Sequence, residues 1–289
     1  MIKILVTGAG GQLGSELNVL SSEYKEYEFT FADKKSLDLS DEIKIENYFE
    51  KSNFDVVINC GAYTNVDKAE DDEVLANKVN HLAVKLLAQA CIKYSIKLMH
   101  ISTDYVFDGK NYKPYLEDDI TSPCNLYGKT KLLGEEAVIE LSPKDSIIIR
   151  TSWVYSSFGN NFVKTMLRLG EQKDYLNVVY DQIGTPTYAR DLARVILDIL
   201  PSLDNENVEI YNYSNEGVLS WYDFAKEIMD ISKRSCEIFS IGTIEYPTPA
   251  VRPYYSLLNK SKIKNTFNID IPYWKDSLEA CLITMREKH

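Results

Sequence analysis

Ile2-Lys3-Ile4-Leu5-Val6-Thr7-Gly8-Ala9-Gly10-Gly11-Gln12-Leu13-Gly14 follows the initial Met1, and this stretch decides the fold. Residues 2–7 form an apolar run of the length expected for a buried strand. Glycines follow at once, and residues 12–21 then read as a helix. Gly8, Gly11 and Gly14 stand at GxxGxxG spacing. At a strand-to-helix turn, such glycines permit a tight bend, close approach of backbone to a pyrophosphate and close helix–strand packing. The helix start offers N–H groups and partial positive charge to phosphates. A glycine-rich turn without a ligand has the same composition, but its place between strand and helix favours a dinucleotide site.

Working outward, residues 28–32 read as a second strand, 41–51 as a helix and 56–59 as a third strand. Residues 74–94 form a long helical pattern with Val79, Ala83, Leu86, Leu87 and Ala90 on one face. A fourth strand is expected at 97–102, a helix at 126–141 and a fifth strand at 146–151. This alternation predicts an α/β fold: a Rossmann-type doubly wound parallel sheet covered on both faces. The second half is less regular. Helices are expected at 161–172, 189–200, 220–232 (with Ser220 as N-cap) and 274–285. Pro247, Pro249 and Pro253 mark an irregular loop. The expected organisation is a dinucleotide-binding domain over 1–150, rejoined by about 176–202, and a smaller C-terminal substrate-binding domain over most of 151–289. A cleft between them would lie at the carboxyl ends of the strands.

Asp33 follows the second strand, 19 residues after Gly14 (33 − 14). An acid there can accept a hydrogen bond from an adenosine ribose 2′-OH, which favours NADH. Lys34 and Lys35 could instead receive the 2′-phosphate of NADPH, so both cofactors stay open. The plain alternative is that Asp33 opens a turn.

Tyr127-Gly128-Lys129-Thr130-Lys131 places Tyr127 and Lys131 on one face of the predicted helix. A nearby ammonium would favour the phenolate and bring a proton donor closer to working pH. The spacing alone proves little, since 20 Tyr in this chain give about 1.7 chance YxxxK matches. Tyr222/Lys226 is the other match, read as a surface or packing pair. Position separates them: Thr103 closes the fourth strand, 24 residues before Tyr127 (127 − 103). Its hydroxyl can face the cofactor crevice beside the tyrosine.

Composition bounds the function. The 43 acidic and 32 basic residues leave a net charge of -11, which argues against a nucleic-acid partner. No segment approaches the apolar length of a membrane span or the core of a signal peptide, so no membrane association is expected. Five scattered cysteines without a CxxC pair suggest free thiols in a reducing cytoplasm.

With these residues in view, the chain resembles the extended short-chain dehydrogenase/reductase superfamily, and within it the dTDP-4-dehydrorhamnose reductase family. The segments that carry the resemblance are 8–14, 59–70 (Asn-Cys-Gly-Ala-Tyr-Thr-Asn-Val-Asp-Lys-Ala-Glu), 102–109 (Ser-Thr-Asp-Tyr-Val-Phe-Asp-Gly), 127–131, 150–153, 184–187 and Arg252-Pro253. It implies NADPH- or NADH-dependent reduction of the 4-keto group of a nucleotide-sugar substrate. It also implies roles by position. Gly11, Gln12 and Leu13 would contact the cofactor diphosphate, and Asp38 and Leu39 the adenine side. Ala62, Tyr63 and Thr64 would border the cofactor, with Tyr127 and Lys131 at the nicotinamide. Thr103, Asp104 and Trp153 would touch the sugar. An indole suits the apolar face of a pyranose, although Trp153 as simple core packing is the plain alternative. Arg252 would pair with the substrate diphosphate, or form a structural salt bridge.

Some members of the family are described as holding Mg²⁺ at a dimer contact lined by glutamates, which leaves a homodimer open. Glu16 matches one such position, but Arg190 stands at another. A cation disfavours Mg²⁺, so no metal is expected. Related sugar-nucleotide dehydratases carry Thr-Asp-Glu after the fourth strand; here Thr103-Asp104 is followed by Tyr105, which favours reduction over elimination. Reductases, epimerases and non-catalytic regulators share the scaffold, and the presence of all three candidate catalytic residues, Thr103, Tyr127 and Lys131, argues against the last.

Overall fold

β1 (Ile2–Thr7), β2 (Tyr27–Ala32), β3 (Val56–Asn59), β4 (Lys97–Thr103) and β5 (Ile147–Thr151) form where the apolar runs predict them. A sixth strand, β6 (Glu209–Tyr213), comes from the second half and was not anticipated. In this computed structural model, which describes residues 1–51 and 53–287, the six make one sheet in the order β6-β5-β4-β3-β1-β2. Every pairing within it is parallel. Parallel strands need crossover connections, and the intervening helices supply them.

Eight helices of eight or more residues are described: α1 (Gln12–Leu20), α2 (Glu42–Glu50), α3 (Ala83–Tyr94), α4 (Leu126–Leu141), α5 (Phe162–Gln172), α6 (Ala189–Ile199), α7 (Trp221–Ser232) and α8 (Trp274–Glu287). Leu13 and Leu17 of α1 join Leu192 and Ile196 of α6 in the core on one face of the sheet. Ile45 and Phe49 of α2 join Val84 and Leu87 of α3 on the other. α5, α7 and α8 close a separate apolar cluster with Phe224, Ile228 and Leu278 inside it. Ser220 caps α7 as expected, and its hydroxyl exchanges bonds with Asp223 in a capping box.

The long helix expected over 74–94 is interrupted. Residues Glu73–Asn77 and Ala83–Tyr94 are α-helical, but Lys78–Leu82 is a π-turn. The wider turn carries Asn80 inward, where its side chain is fully buried. Its Oδ1 accepts from the Tyr63 N–H at 2.8 Å, while Nδ2 donates to the Tyr63 carbonyl at 3.1 Å and to the Thr130 hydroxyl at 3.1 Å. Gly134 of α4 makes room, because a Cβ there would stand 2.2 Å from the Asn80 carbonyl oxygen. Tertiary hydrogen bonding has thus overridden a helical pattern.

The chain runs from β1 to β2 on one side and returns to β3 on the other. The β1/β3 boundary is therefore the switch point at which doubly wound sheets open a ligand crevice. Thr7 and Asn59 pair there in register, and the Thr7 hydroxyl donates to Asn59 Oδ1 at 2.6 Å. Among the described residues, no helix is long and apolar enough to cross a membrane.

Candidate active site

The crevice begins at the glycine turn. Gly8 has φ +66°, and a Cβ there would stand 2.6 Å from the Gly61 nitrogen. Gly14 needs the same economy, since its Cβ would stand 2.6 Å from the Gly8 carbonyl oxygen. The Gly11 N–H donates to Gly8 at 2.9 Å and closes the turn. Gly11 is the N-cap of α1 and brings no side-chain cap, so the N–H groups of Gln12 and Leu13 have no intrahelical acceptor. Gly10 faces open space. A diphosphate is the ligand such a helix end accommodates, and the residues present therefore fit a dinucleotide.

The neighbouring side chains have other work. Gln12 Nε2 donates to the Val154 carbonyl at 3.2 Å, and its Oε1 accepts from Asn161 at 2.9 Å. That ties the glycine turn to the second half of the chain. Leu13 is core, so it can meet a diphosphate only through its backbone. Asp33 Oδ1 accepts from the N–H groups of Ser36 at 2.9 Å and Lys35 at 3.0 Å. These bonds, the one from Ser36 first, hold its carboxyl below the usual range. The turn-opening role is thus realised through Oδ1. Asp38 caps its own turn by accepting from the Ser40 N–H at 2.9 Å, and Leu39 is buried against Gly61. Ala62 is half-buried and Thr64 exposed on either side of Tyr63, the residue anchored by Asn80.

At the carboxyl end of β4, Thr103, Tyr127 and Lys131 come together. The Thr103 hydroxyl donates to Asp104 Oδ1 at 3.1 Å and accepts from the Tyr105 N–H at 3.2 Å. Asn125 caps α4 by accepting from the Gly128 N–H at 2.8 Å, which fixes Tyr127 in the first turn. The Tyr127 ring meets Tyr105 edge to face at 5.7 Å. Burial pushes its phenol up to about 12, while hydrogen bonding with Thr103 pulls it the other way. This corrects the expectation that Lys131 lowers the phenol. Lys131 Nζ donates to the Ile101 carbonyl at 2.7 Å and lies 3.4 Å from His100 Nε2. Burial pulls the amine down to about 8.

Asp104 is buried, and its Oδ2 has no partner among the described residues. Burial raises its carboxyl from 3.8 to about 7. Between those values the folded chain binds the proton that the unfolded chain has lost, so stability falls as pH rises through that window. Asp104→Asn is expected to flatten this slope in thermal midpoints measured from pH 4 to 7; an unchanged slope would discount Asp104.

Trp153 lies two residues past β5, whose Thr151 pairs with Thr103. It adopts φ +48°, a left-handed backbone that is costly for a bulky residue. Its indole stacks on Trp221 with centroids 3.7 Å apart and planes at 12°. Gly184 leaves space beside it, since a Cβ there would stand 3.0 Å from the ring. Trp153 is half-buried, so part of the indole is packed on Trp221 and part stays accessible. Arg252 is otherwise engaged: Nη2 and Nη1 grip Asp67 at 2.7 and 2.9 Å. This is an ion pair of the kind given as the structural alternative, and it holds the guanidinium against the 59–70 segment. Glu16 is buried between the Ser156 hydroxyl at 2.6 Å and Arg190 Nε at 2.9 Å. Among the described residues, no cluster of three acidic, His or Cys side chains could hold a metal ion.

His100, Asn59, Asn80 and Trp221 also bear on this site and were not read from the sequence. His100 sits in an apolar strand run and Asn80 in a helical pattern, where nothing local marks them, while Asn59 opens the 59–70 segment without a role of its own being legible there.

Sheet order, the glycine turn at the switch point and the Tyr-x₃-Lys helix beside β4 define the class: the Rossmann-type scaffold of the extended short-chain dehydrogenase/reductases. The sequence profile of the RmlD substrate binding domain family matches residues 2–287. The dTDP-4-dehydrorhamnose reductase of Aggregatibacter actinomycetemcomitans is 42% identical, covering 96% of this chain and 98% of that protein. A solved dTDP-4-dehydrorhamnose reductase from Clostridium acetobutylicum superposes with TM-score 0.93 at 41% identity, over 99% of this chain and 100% of that one. Another, from Bacillus anthracis in complex with NADP, gives 0.92 at 38% identity, over 98% and 100%. This chain belongs to the dTDP-4-dehydrorhamnose reductase family. A dTDP-glucose 4,6-dehydratase, 17% identical with TM-score 0.81, shares the fold alone.

Proposed function

We propose that this chain reduces the 4-keto group of dTDP-4-dehydro-L-rhamnose to give dTDP-L-rhamnose, using NADPH or NADH. The observation that carries the reading is the meeting of Thr103, Tyr127 and Lys131 at the end of β4, beside a glycine turn shaped for a diphosphate. Bound there, the dinucleotide supplies the hydride that the C4 carbon receives. The Thr103 and Tyr127 hydroxyls polarise the carbonyl oxygen, and Tyr127 gives its proton to the alkoxide. Lys131 holds the cofactor ribose. Tyr105 supports reduction over elimination: burial raises its phenol, so it stays protonated and cannot replace a carboxylate base. The five free thiols suit the cytoplasm, and a homodimer is consistent with the family resemblance.

The test is loss of nicotinamide absorbance when the chain meets that keto-sugar nucleotide, with product stereochemistry determined. Inertness there, together with conversion of dTDP-glucose to a 4-keto-6-deoxy product, would overturn the reading. Cofactor choice is tested at Asp33. Asp33→Asn keeps the Oδ1 acceptor of the turn but removes the charge that repels a 2′-phosphate. The ratio of kcat/KM for NADPH over NADH is expected to rise roughly tenfold, about 1.4 kcal/mol. An unchanged ratio would leave Asp33 to the turn alone.

A further inference from the structure

A buried polar chain crosses the sheet from β1 to β4 and ends on Lys131. The Thr7 hydroxyl and the Gly61 N–H both donate to Asn59 Oδ1, at 2.6 and 3.2 Å. The amide oxygen is thereby fixed, and the amide nitrogen is the end facing His100 Nδ1 at 3.0 Å. An amide nitrogen only donates, so Nδ1 accepts and the proton of the neutral ring sits on Nε2. Nε2 in turn faces Lys131 Nζ at 3.4 Å. An N–H cannot receive a bond from an ammonium, but it can give one to an amine.

We propose that His100 is a positioning residue for Lys131: its ring, locked by Asn59 in the Nε2–H form, fixes the side chain and favours the amine over the ammonium. This rests on the proposed role of Lys131. All of Thr7, Asn59, His100 and Lys131 are buried, so water does not compete for these bonds. Burial, with Lys131 beside it, keeps His100 well below its ordinary value and neutral. The other groups facing Lys131 are accounted for. The Cys60 thiol, after β3, is pushed up by burial and stays uncharged. Glu135, one turn along α4, favours the ammonium, but its carboxylate is paired with Arg150 at 2.7 Å. Tyr127, a turn earlier on α4, stays a neutral phenol. Lys131 thus changes charge near working pH, one turn beyond Tyr127 on α4, which is how its state would show in the pH profile of turnover.

Histidine-labelled protein tests this directly, because the chain has only 3 His. Nitrogen NMR of the full chain is expected to show His100 protonated at Nε2 and not at Nδ1. Its Nε2 signal should move with a midpoint near 8, and Lys131→Met should abolish that midpoint. An Nδ1–H ring, or a signal insensitive to pH from 7 to 9, would overturn the proposal. Asn59→Asp supplies the kinetic readout. A carboxylate at that position draws the ring proton to Nδ1 and makes Nε2 an acceptor for the ammonium. The pH profile of kcat should then move upward by about one unit, with a smaller move when the same change is made beside His100→Leu. Equal moves in both backgrounds, or none, would overturn the link to turnover. Retention of full kcat in Lys131→Met would instead defeat the underlying catalytic reading.

Discussion

Tyr127→Phe is expected to lower kcat by about 10²–10⁴-fold while leaving the dissociation constant for NADPH within a few-fold of the parent. The site explains why the two effects separate. The ring's edge-to-face contact with Tyr105 at 5.7 Å needs no hydroxyl. Lys131 remains tied to the Ile101 carbonyl at 2.7 Å, and the glycine turn lies on another strand. What is lost is the phenolic hydroxyl, with its proton and its hydrogen bond to Thr103. Burial keeps that phenol at about 12, so the parent holds its proton across the neutral range and releases it only to a strongly basic oxygen. An alkoxide formed at C4 is such an oxygen. Thr103 remains to polarise the carbonyl, and water remains as a poorer donor, which sets the residual rate. Steady-state absorbance assays give kcat, and quenching of protein fluorescence by NADPH gives affinity. Wild-type kcat would remove Tyr127 from the chemistry; parallel losses of kcat and affinity would make it a cofactor anchor.

The parts of this site that could be read in advance are those in which chemistry and local structure share one stretch of chain. Gly8, Gly11 and Gly14 lie within seven residues, and the same turn makes both the bend and the phosphate cradle. Tyr127 and Lys131 share a helix whose observed bounds, Leu126–Leu141, coincide with the expected ones. What escaped was built by distant partners. Arg252 meets Asp67 across 185 positions, so its commitment leaves no local trace. β6 reads Glu-Ile-Tyr-Asn-Tyr, with neither alternation nor a full apolar run. Its Asn212 is fully buried because its N–H donates to Glu117 and its side chain to the Tyr115 carbonyl, each at 2.9 Å. The π-turn at Asn80 is a tertiary choice of the same kind: the helical pattern is intact in the sequence and gives way to the Tyr63 loop. Lys131 was legible as a residue but not in its direction, since the Ile101 carbonyl and His100 that receive it lie on a strand that reads as ordinary core.

Glu135→Ala is expected to cost about 3–5 kcal/mol of stability, more than any other single change considered. Glu135 lies on α4 one turn beyond Lys131 and is fully buried, and its partner Arg150 on β5 is 3% exposed. Arg150 Nε and Nη2 both reach the carboxylate, at 3.1 and 2.7 Å. Nη1 donates to the Glu117 carbonyl at 2.9 Å, and the guanidinium lies over the Phe107 ring. The pair therefore joins α4 to the sheet directly below the catalytic helix face. A buried pair adds little net stability over a well-packed apolar one, because desolvation offsets most of the attraction. Removing one member is different: it leaves a guanidinium in the interior without its paired carboxylate and a cavity beside it. The comparison that isolates the effect is Glu135→Leu with Arg150→Met, which should recover most of the loss by removing both charges and filling the space. Urea denaturation midpoints at unchanged slope give the values. A single-variant cost below about 1 kcal/mol, the range of exposed pairs, would show that water reaches Arg150 and that the anchor beneath Tyr127 and Lys131 is softer than its geometry implies.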